Sequence, residues 1–406
     1  MKKLIENIVT QRFIIVLFFA SLFPGTAISN FSLFFLVLFG LLRIIFTRKF
    51  IFSKETIPFY LYFLLACLSM LWSYNIDSSI RGFLKAIPFF VLPFFVTQCI
   101  EIDKNEQQKI IRWFSYTSIL FFVFCIITVI PKYIKTNDYQ QFTYHNLVYY
   151  FENNSIYISL IILFNLIAEL IFFRKKLLNL TILSLLFGFL VLLSSKMALI
   201  ILLICILLII FRFFKFSLPK KLAISSTILV VIPALLYAFK PIRNRFSDVL
   251  RIREEIFDKD FDAYSYIWDG LSLRIFQWRI FNEMLTEESF FWKGYGINAS
   301  VVRMKEYYEY YNFYPEFFTY NFHNQYIQTF SELGIFGLLL LCSFLITGFY
   351  VSYHKKSALY FLSILIFAVF FITESFLSRQ KGVLFFVFIY FLMLKFSSEN
   401  KSKNLL

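Results

Sequence analysis

Histidine is scarce in this sequence, with three in 406 residues, and aspartate and glutamate together number 25 against 40 lysines and arginines. The acidic residues form no cluster of the kind that holds a divalent ion, so neither a metal nor another cofactor is expected. The five cysteines, Cys67, Cys99, Cys125, Cys205 and Cys342, lie in apolar runs and have neither disulfide nor metal-ligand spacing. That leaves packing as their role. Internal repeats are not evident, and with them is missing the inverted-repeat signature of many secondary transporters. No small-x-small cleavage site follows Met1-Lys2-Lys3 and its apolar run, so an uncleaved first helix is expected. Charged residues make up only 16% of the chain, and with a mean hydropathy of +0.71 this excludes a single soluble core.

What the chain has in abundance is apolar sequence long enough to cross hydrocarbon. Such runs lie near 12–29, 31–47, 57–73, 83–100, 111–131, 155–173, 178–194, 197–214, 222–239, 332–352, 358–373 and 382–396. Helices are required there, because no water in the bilayer core satisfies a backbone. The expected fold is all-α, a polytopic membrane protein of about twelve transmembrane helices with one large periplasmic loop carrying amphipathic helices. Residues 1–239 supply nine helices, 240–331 the loop, and 332–406 three closing helices with a short tail. With the amino terminus in the cytoplasm, 22 lysines and arginines fall on the inner side and seven in the short outer connections. That asymmetry places both termini in the cytoplasm of a bacterial inner membrane and the long loop in the periplasm. The same dispersal explains a net charge of +15 by topological anchoring rather than by a nucleic-acid patch, so no nucleic acid is expected as a partner. The 59 phenylalanines read as a compositional bias that fills lipid-facing positions.

The loop is the one segment polar enough to build a site. Residues 244–257 read as an amphipathic helix on the membrane surface, with Phe246, Val249, Leu250 and Ile256 on one face. A second helix is expected over 272–285, with Ser272 as its cap. Its Leu273, Phe276 and Ile280 share an apolar side, and Arg274 and Trp278 stand four residues apart on another. Trp292-Lys293-Gly294-Tyr295-Gly296 reads as a flexible turn. At the loop's end, Tyr320 to Gln328 put His323 and Asn324 where polar chain enters a membrane helix. A titratable side chain at a lipid boundary is costly unless paired or used, which makes His323 the first candidate for catalysis.

Its candidate partners are cations. Arg274 reads either as a phosphate ligand or as the solvated face of a surface helix, and Arg279 has a weaker claim of the same kind. Lys196, in the short outer turn Leu193 to Ala198, reads either as a ligand or as a snorkelling interfacial lysine. Arg379, in Glu374 to Gly382, belongs to a charged cluster that either completes a phosphate site or anchors two helices. His145 joins the site or binds water. Trp278, Asn324 and Tyr326 are candidate glycan or acceptor contacts. A periplasmic site has no ATP, so a transfer there needs a donor already activated on a lipid carrier. An undecaprenyl-diphosphate glycan meets that need, and guanidinium groups suit its leaving group.

Three segments in this order, Ser195-Lys196-Met197-Ala198, the loop with Arg274 to Trp278 and Gly294-Tyr295-Gly296, and His323-Asn324 through Glu332-x-Gly334-x-x-Gly337, resemble the O-antigen ligase and polymerase superfamily of bacterial envelope glycosyltransferases. Residues 374–382 fit as well. The resemblance covers roughly the second half of the chain. It implies metal-independent, inverting transfer of a glycan from the polyprenyl diphosphate to an acceptor hydroxyl, on lipid A-core or another surface glycan. By the family's pattern His323 activates or orients the acceptor, while Arg274 and residue 196 hold the diphosphate. Many members carry arginine where this chain has Lys196, which keeps the charge and loses the bidentate fork. A ligase is the first expectation and a polymerase of the same superfamily the second. A lipid-glycan flippase, the alternative of another class, would place polar residues inside many spans rather than in the outer loops.

Overall fold

The structure is a computed structural model that describes residues 7–48, 52–99, 103–151, 154–172, 176–240, 242–243, 254–258 and 261–398. Among these the chain is all-helical, without strands. Besides the single-turn helix Tyr144–Val148, nine helices precede the loop among the described residues: α1 Ile8–Ser21, α2 Thr26–Thr47, α3 Ile57–Ser69, α4 Ile76–Cys99, α5 Lys104–Thr136, α6 Ser155–Ile171, α7 Leu177–Leu193, α8 Lys196–Phe213 and α9 Leu218–Ala238. The loop holds α10 Ser272–Glu287 and α11 Ser300–Tyr310, and α12 Gln325–His354, α13 Ala358–Phe370 and α14 Gln380–Ser398 close the chain.

Among the described residues helix occupies most of each apolar run, although the run near 12–29 is divided between two helices at residues 22–25, and the helix lengths differ. Among the described residues eight helices are long and apolar enough to span a membrane. A ninth span is formed if Tyr144–Phe151 and Ser155–Ile171, bent by 94°, count as one. The expectation of about twelve full spans is refined accordingly, because α1, α7 and α13 have only 14, 17 and 13 residues. Thirteen residues of helix reach about 20 Å, against a hydrocarbon core of about 30 Å. α13 stops early because the chain leaves it at Phe371 to make the non-helical turn that carries Thr373, Glu374 and Ser375.

α14 lies at the centre. Every residue from Gly382 to Leu394 is buried, so protein rather than lipid surrounds this all-apolar helix. Its Phe386 and Tyr390 pack against Phe59 of α3 and Phe344 of α12. α9 is the opposite case, with Leu229, Val230 and Val231 exposed on a helix of similar apolarity, as a lipid-facing helix requires.

The loop has an apolar core of its own, separate from that of the bundle. Phe261, Phe276, Ile280, Met284, Tyr308, Phe313 and Phe322 form its centre, and Phe330 with Ile327 and Ile335 of α12 completes it. Of the surface helix expected over 244–257, residues 244–253 lie outside the described residues. Glu254–Phe257 form a short 3-10 turn whose Ile256 is buried in this loop core. The cap of α10 also differs from expectation. Asp269, rather than Ser272, accepts from the backbone N–H groups of Leu271 at 2.6 Å and Ser272 at 3.0 Å. The Ser272 hydroxyl instead accepts from the Asp269 N–H at 3.0 Å.

The loop is fastened to α12 through two glycines that face one another. Gly334 breaks α12 with φ 64° and ψ −163°, and a Cβ there would stand 2.2 Å from the Trp292 carbonyl oxygen. Gly294, at φ 66°, would place a Cβ 2.3 Å from the carbonyl carbon of Glu332. The break frees carbonyls that the loop then satisfies: Tyr295 N–H donates to Ser331 O and Gly296 N–H to Glu332 O, both at 2.9 Å. Ile335 N–H donates in return to Phe291 O at 2.9 Å. The Trp292 to Gly296 segment, read above as a flexible turn, is therefore half of an interlock.

Candidate active site around His323

His323 is the residue before the cap of α12. The Asn324 side chain accepts from Tyr326 N–H at 2.9 Å and Ile327 N–H at 3.1 Å, and its own N–H donates to Ser375 Oγ at 3.1 Å. An N-cap side chain of this type fixes where a helix begins, so the residue before it is fixed too. His323 itself has φ 45°, a left-handed conformation that costs a non-glycine residue about 1–2 kcal/mol. Its N–H donates to Asn321 Oδ1 at 3.0 Å and thereby supports that conformation.

The ring is oriented through one nitrogen. Nδ1 lies 3.1 Å from the Asn321 carbonyl oxygen and 2.9 Å from Gln277 Oε1. A backbone carbonyl only accepts, so Nδ1 carries the proton and Nε2 carries the lone pair in the neutral ring. Gln277 is held in turn by its amide N–H donating to the Tyr308 hydroxyl at 3.0 Å. Burial, the Arg274 guanidinium and, less strongly, Arg379 push the His323 pKa down to about 3; the Asn321 carbonyl opposes them. At neutral pH the ring is an uncharged base with a defined tautomer.

The two arginines are held differently. Arg274 Nε donates to Thr373 O at 3.0 Å, Nη1 to Gly270 O, and Nη2 to Glu374 Oε1 at 2.5 Å. Three of its five N–H groups are thus committed, and it ties α10 to the turn between α13 and α14. Arg379 is exposed and lies over the Tyr157 ring at 5.6 Å from the centroid. It has no carboxylate partner among the described residues. Tyr157 belongs to α6, donates to Ser375 O at 3.3 Å and stacks on Phe376. Lys85 of α4 donates to Asn298 Oδ1 at 3.0 Å.

The remaining sequence candidates are put to other uses. Arg279 turns away from His323: it pairs with Glu283 at 2.7 Å, donates to Ile256 O and to the Tyr311 hydroxyl, and stacks on the Tyr311 ring. It holds the loop core together. His145 Nδ1 accepts from Ser155 N–H at 3.3 Å, at the start of α6. Trp278 Nε1 donates to Phe322 O at 3.0 Å, which positions the backbone immediately before His323. The Tyr326 hydroxyl donates to Ala368 O at 2.9 Å. Lys196 is the first residue of α8, half-buried at the loop end of the bundle.

Structure thus brings together His323, Arg274 and Arg379, and adds Gln277, Glu374, Tyr157 and Lys85, which the sequence reading did not count as site residues. Gln277 had a signal, since it follows Arg274 by three positions on one helix. In sequence Glu374 reads only as part of the Glu374 to Gly382 cluster, and Lys85 as a charge near the outer end of the 83–100 run. Nothing in the sequence around Tyr157 marks it, for a tyrosine at a span's outer end is ordinary.

Residues 181–342 match the family model described as O-Antigen ligase. The matched segment contains Lys196, Arg274, His323 and the Glu332 to Gly337 stretch, whereas Glu374 and Arg379 lie beyond it. No curated protein matches the chain. The resemblance to the O-antigen ligase superfamily is borne out by this match, and it indicates an enzyme of the ligase or polymerase type, glycosyltransferase-like, in a multi-pass membrane protein.

Proposed function

We propose that this protein transfers a glycan from undecaprenyl diphosphate to an acceptor hydroxyl on lipid A-core or a similar surface glycan, on the periplasmic side of the inner membrane. The observation that carries the reading is the His323 ring, uncharged and proton-bearing at Nδ1, beside two arginines. As the acceptor oxygen attacks the anomeric carbon, its proton passes to Nε2. The bond from that carbon to the diphosphate breaks, and undecaprenyl diphosphate leaves with the electron pair. A single displacement of this kind inverts the anomeric centre and needs no covalent enzyme nucleophile. No metal is required in the scheme, because fixed cations stabilise the leaving group.

Arg379 is the better placed of the two arginines to bind the diphosphate, since Arg274 is largely occupied by Glu374 and two carbonyls. Lys85 and Lys196 supply further positive charge at the same end of the bundle. The bound diphosphate also has an effect on the base. Its negative charge offsets the arginines that hold the His323 pKa down, so donor binding raises the basicity of Nε2 and readies it for the acceptor. The test is transfer by purified protein supplied with lipid-linked donor and acceptor. Loss of turnover in His323→Ala with the fold intact supports the assignment, and unaltered turnover overturns it. Surface glycan from a deletion strain separates the two enzymes of the superfamily: free polymer without attachment marks a ligase, single repeat units a polymerase.

A further inference from the structure

At the opposite end of the bundle a second polar cavity opens among α5, the end of α6 and the start of α7, with a volume of about 620 Å³. Tyr157, which touches the His323 site, and Glu169, which lines this cavity, are twelve residues apart on α6, or about 18 Å along its axis. Glu169 is almost fully buried, accepts from Ser115 Oγ at 2.6 Å and pairs with Arg112 at 3.2 Å. Ser115 also reaches Asn165, and Asn165 donates to Ser118 at 3.0 Å. Ionisable groups kept at a membrane boundary in this way are expensive and mark function by default.

The cavity's charge points to the ligand. Lys109, Arg112 and Lys176 line it together with Glu169. Lys109 also pairs with Glu106 at 2.6 Å, which pairs in turn with Arg12 at 2.9 Å, so four cations meet two carboxylates and two net positive charges remain. Arg112 bonds Asn179 and Glu169 through Nη2 alone, so Nε and Nη1 have no partner among the described residues. Lys176 is exposed and has no carboxylate partner among them either. Trp113 and Tyr116, exposed on the same face of α5, have the amphipathic rings that settle at headgroup level.

We infer that this cavity binds the phosphate of an anionic phospholipid, with Arg112, Lys109 and Lys176 as its ligands and Trp113 and Tyr116 flanking the glycerol and upper acyl chains. The lining suits a lipid rather than a free ion, because Phe172, Leu178 and Trp113 add apolar surface beside the cations. The Glu169 carboxylate fixes Arg112 and leaves Lys176 without a carboxylate partner among the described residues, which keeps the site attractive to a phosphodiester. A basic pocket between membrane helices is the usual form of such a headgroup site.

The test uses the full-length protein in nanodiscs of phosphatidylcholine alone or of phosphatidylcholine with phosphatidylglycerol. Native mass spectrometry counts the phospholipids that remain bound after release. The wild type is expected to retain phosphatidylglycerol in preference to phosphatidylcholine, and Lys109→Gln with Lys176→Gln to weaken that retention roughly tenfold or more. The paired change to arginine should restore it, which separates a lost ligand from a damaged fold. Equal retention of the two lipids by the wild type overturns the inference, as does an anionic preference that survives in the glutamine variant.

Discussion

Two arginine–glutamate pairs stand at the two ends of the bundle, alike in composition and in depth. Arg274 and Glu374 are 2.5 Å apart, with side chains 19% and 7% exposed; Arg112 and Glu169 are 3.2 Å apart, at 23% and 3%. What surrounds them differs. The second pair is held by serine and asparagine side chains, which do not titrate, and faces lysines. The first stands beside a histidine whose ring is fixed at Nδ1 and kept neutral. A buried ion pair is thus weak evidence for chemistry, since it is as well suited to anchoring as to catalysis. A neutral base of defined tautomer beside an exposed cation is much stronger evidence.

The largest effect expected at either end is on His323. His323→Ala should lower transfer by about 10²- to 10⁴-fold, the range for loss of a general base, measured as initial rate on lipid-linked donor. A variant that retains full rate would reduce the loop-end cluster to an anchor like the other. Next come the pairs themselves. Arg274→Gln and Arg112→Gln each leave a buried carboxylate without its partner, at about 3 kcal/mol of stability, read as earlier thermal unfolding of the detergent-solubilised protein. Both ends should lose stability alike, but only the change at Arg274 should displace the pH dependence of transfer. Somewhat smaller is Gly334→Ala, at about 2 kcal/mol for the left-handed backbone alone. The Trp292 carbonyl in its way adds to that, and the loss should appear first as proteolysis near Trp292, where the loop is fastened.

The same comparison explains how much was legible in the sequence. The helices were, because lipid forces a long apolar run to be helical and nothing else competes. His323 was too, since polar chain entering a span is visible as a change of composition. The interlock of Gly294 with Gly334 was not, because two glycines forty residues apart give no signal of facing one another. Nor was the division of labour among the arginines. Arg274 and Arg279 lie on one helix with equal charge, and only packing shows that one reaches Glu374 while the other is spent on Glu283 and Tyr311. The basic run Arg174-Lys175-Lys176 was read as an anchor, and the cavity beside Lys176 depends on α5, whose contact with α7 no local pattern encodes.

The smallest effect separates the two ends most sharply, because only the loop end has a histidine ring. With the His323 pKa down at about 3, the free protein keeps its base deprotonated throughout the range in which an ordinary histidine, near 6.5, gains a proton. The acid limb of kcat/KM should therefore fall below pH 5. Removing a neighbouring positive charge favours the imidazolium, so Arg379→Gln should move that limb upward, by up to about one pH unit. Arg274→Gln should move it further, because Arg274 acts on the ring more strongly. The limb of kcat, which reports the donor-bound state, should already lie higher in the wild type and respond less to either change. Stability follows the same proton with its own sign. The unfolded chain protonates His323 below about pH 6.5 and the folded chain does not until about pH 3, so folding loses stability as pH falls through that window. His323→Gln should remove that part of the loss. An acid limb near pH 6.5 in the wild type, unmoved by Arg379→Gln, would mean that the arginines do not act on the ring and that the two ends of the bundle differ only in their partners.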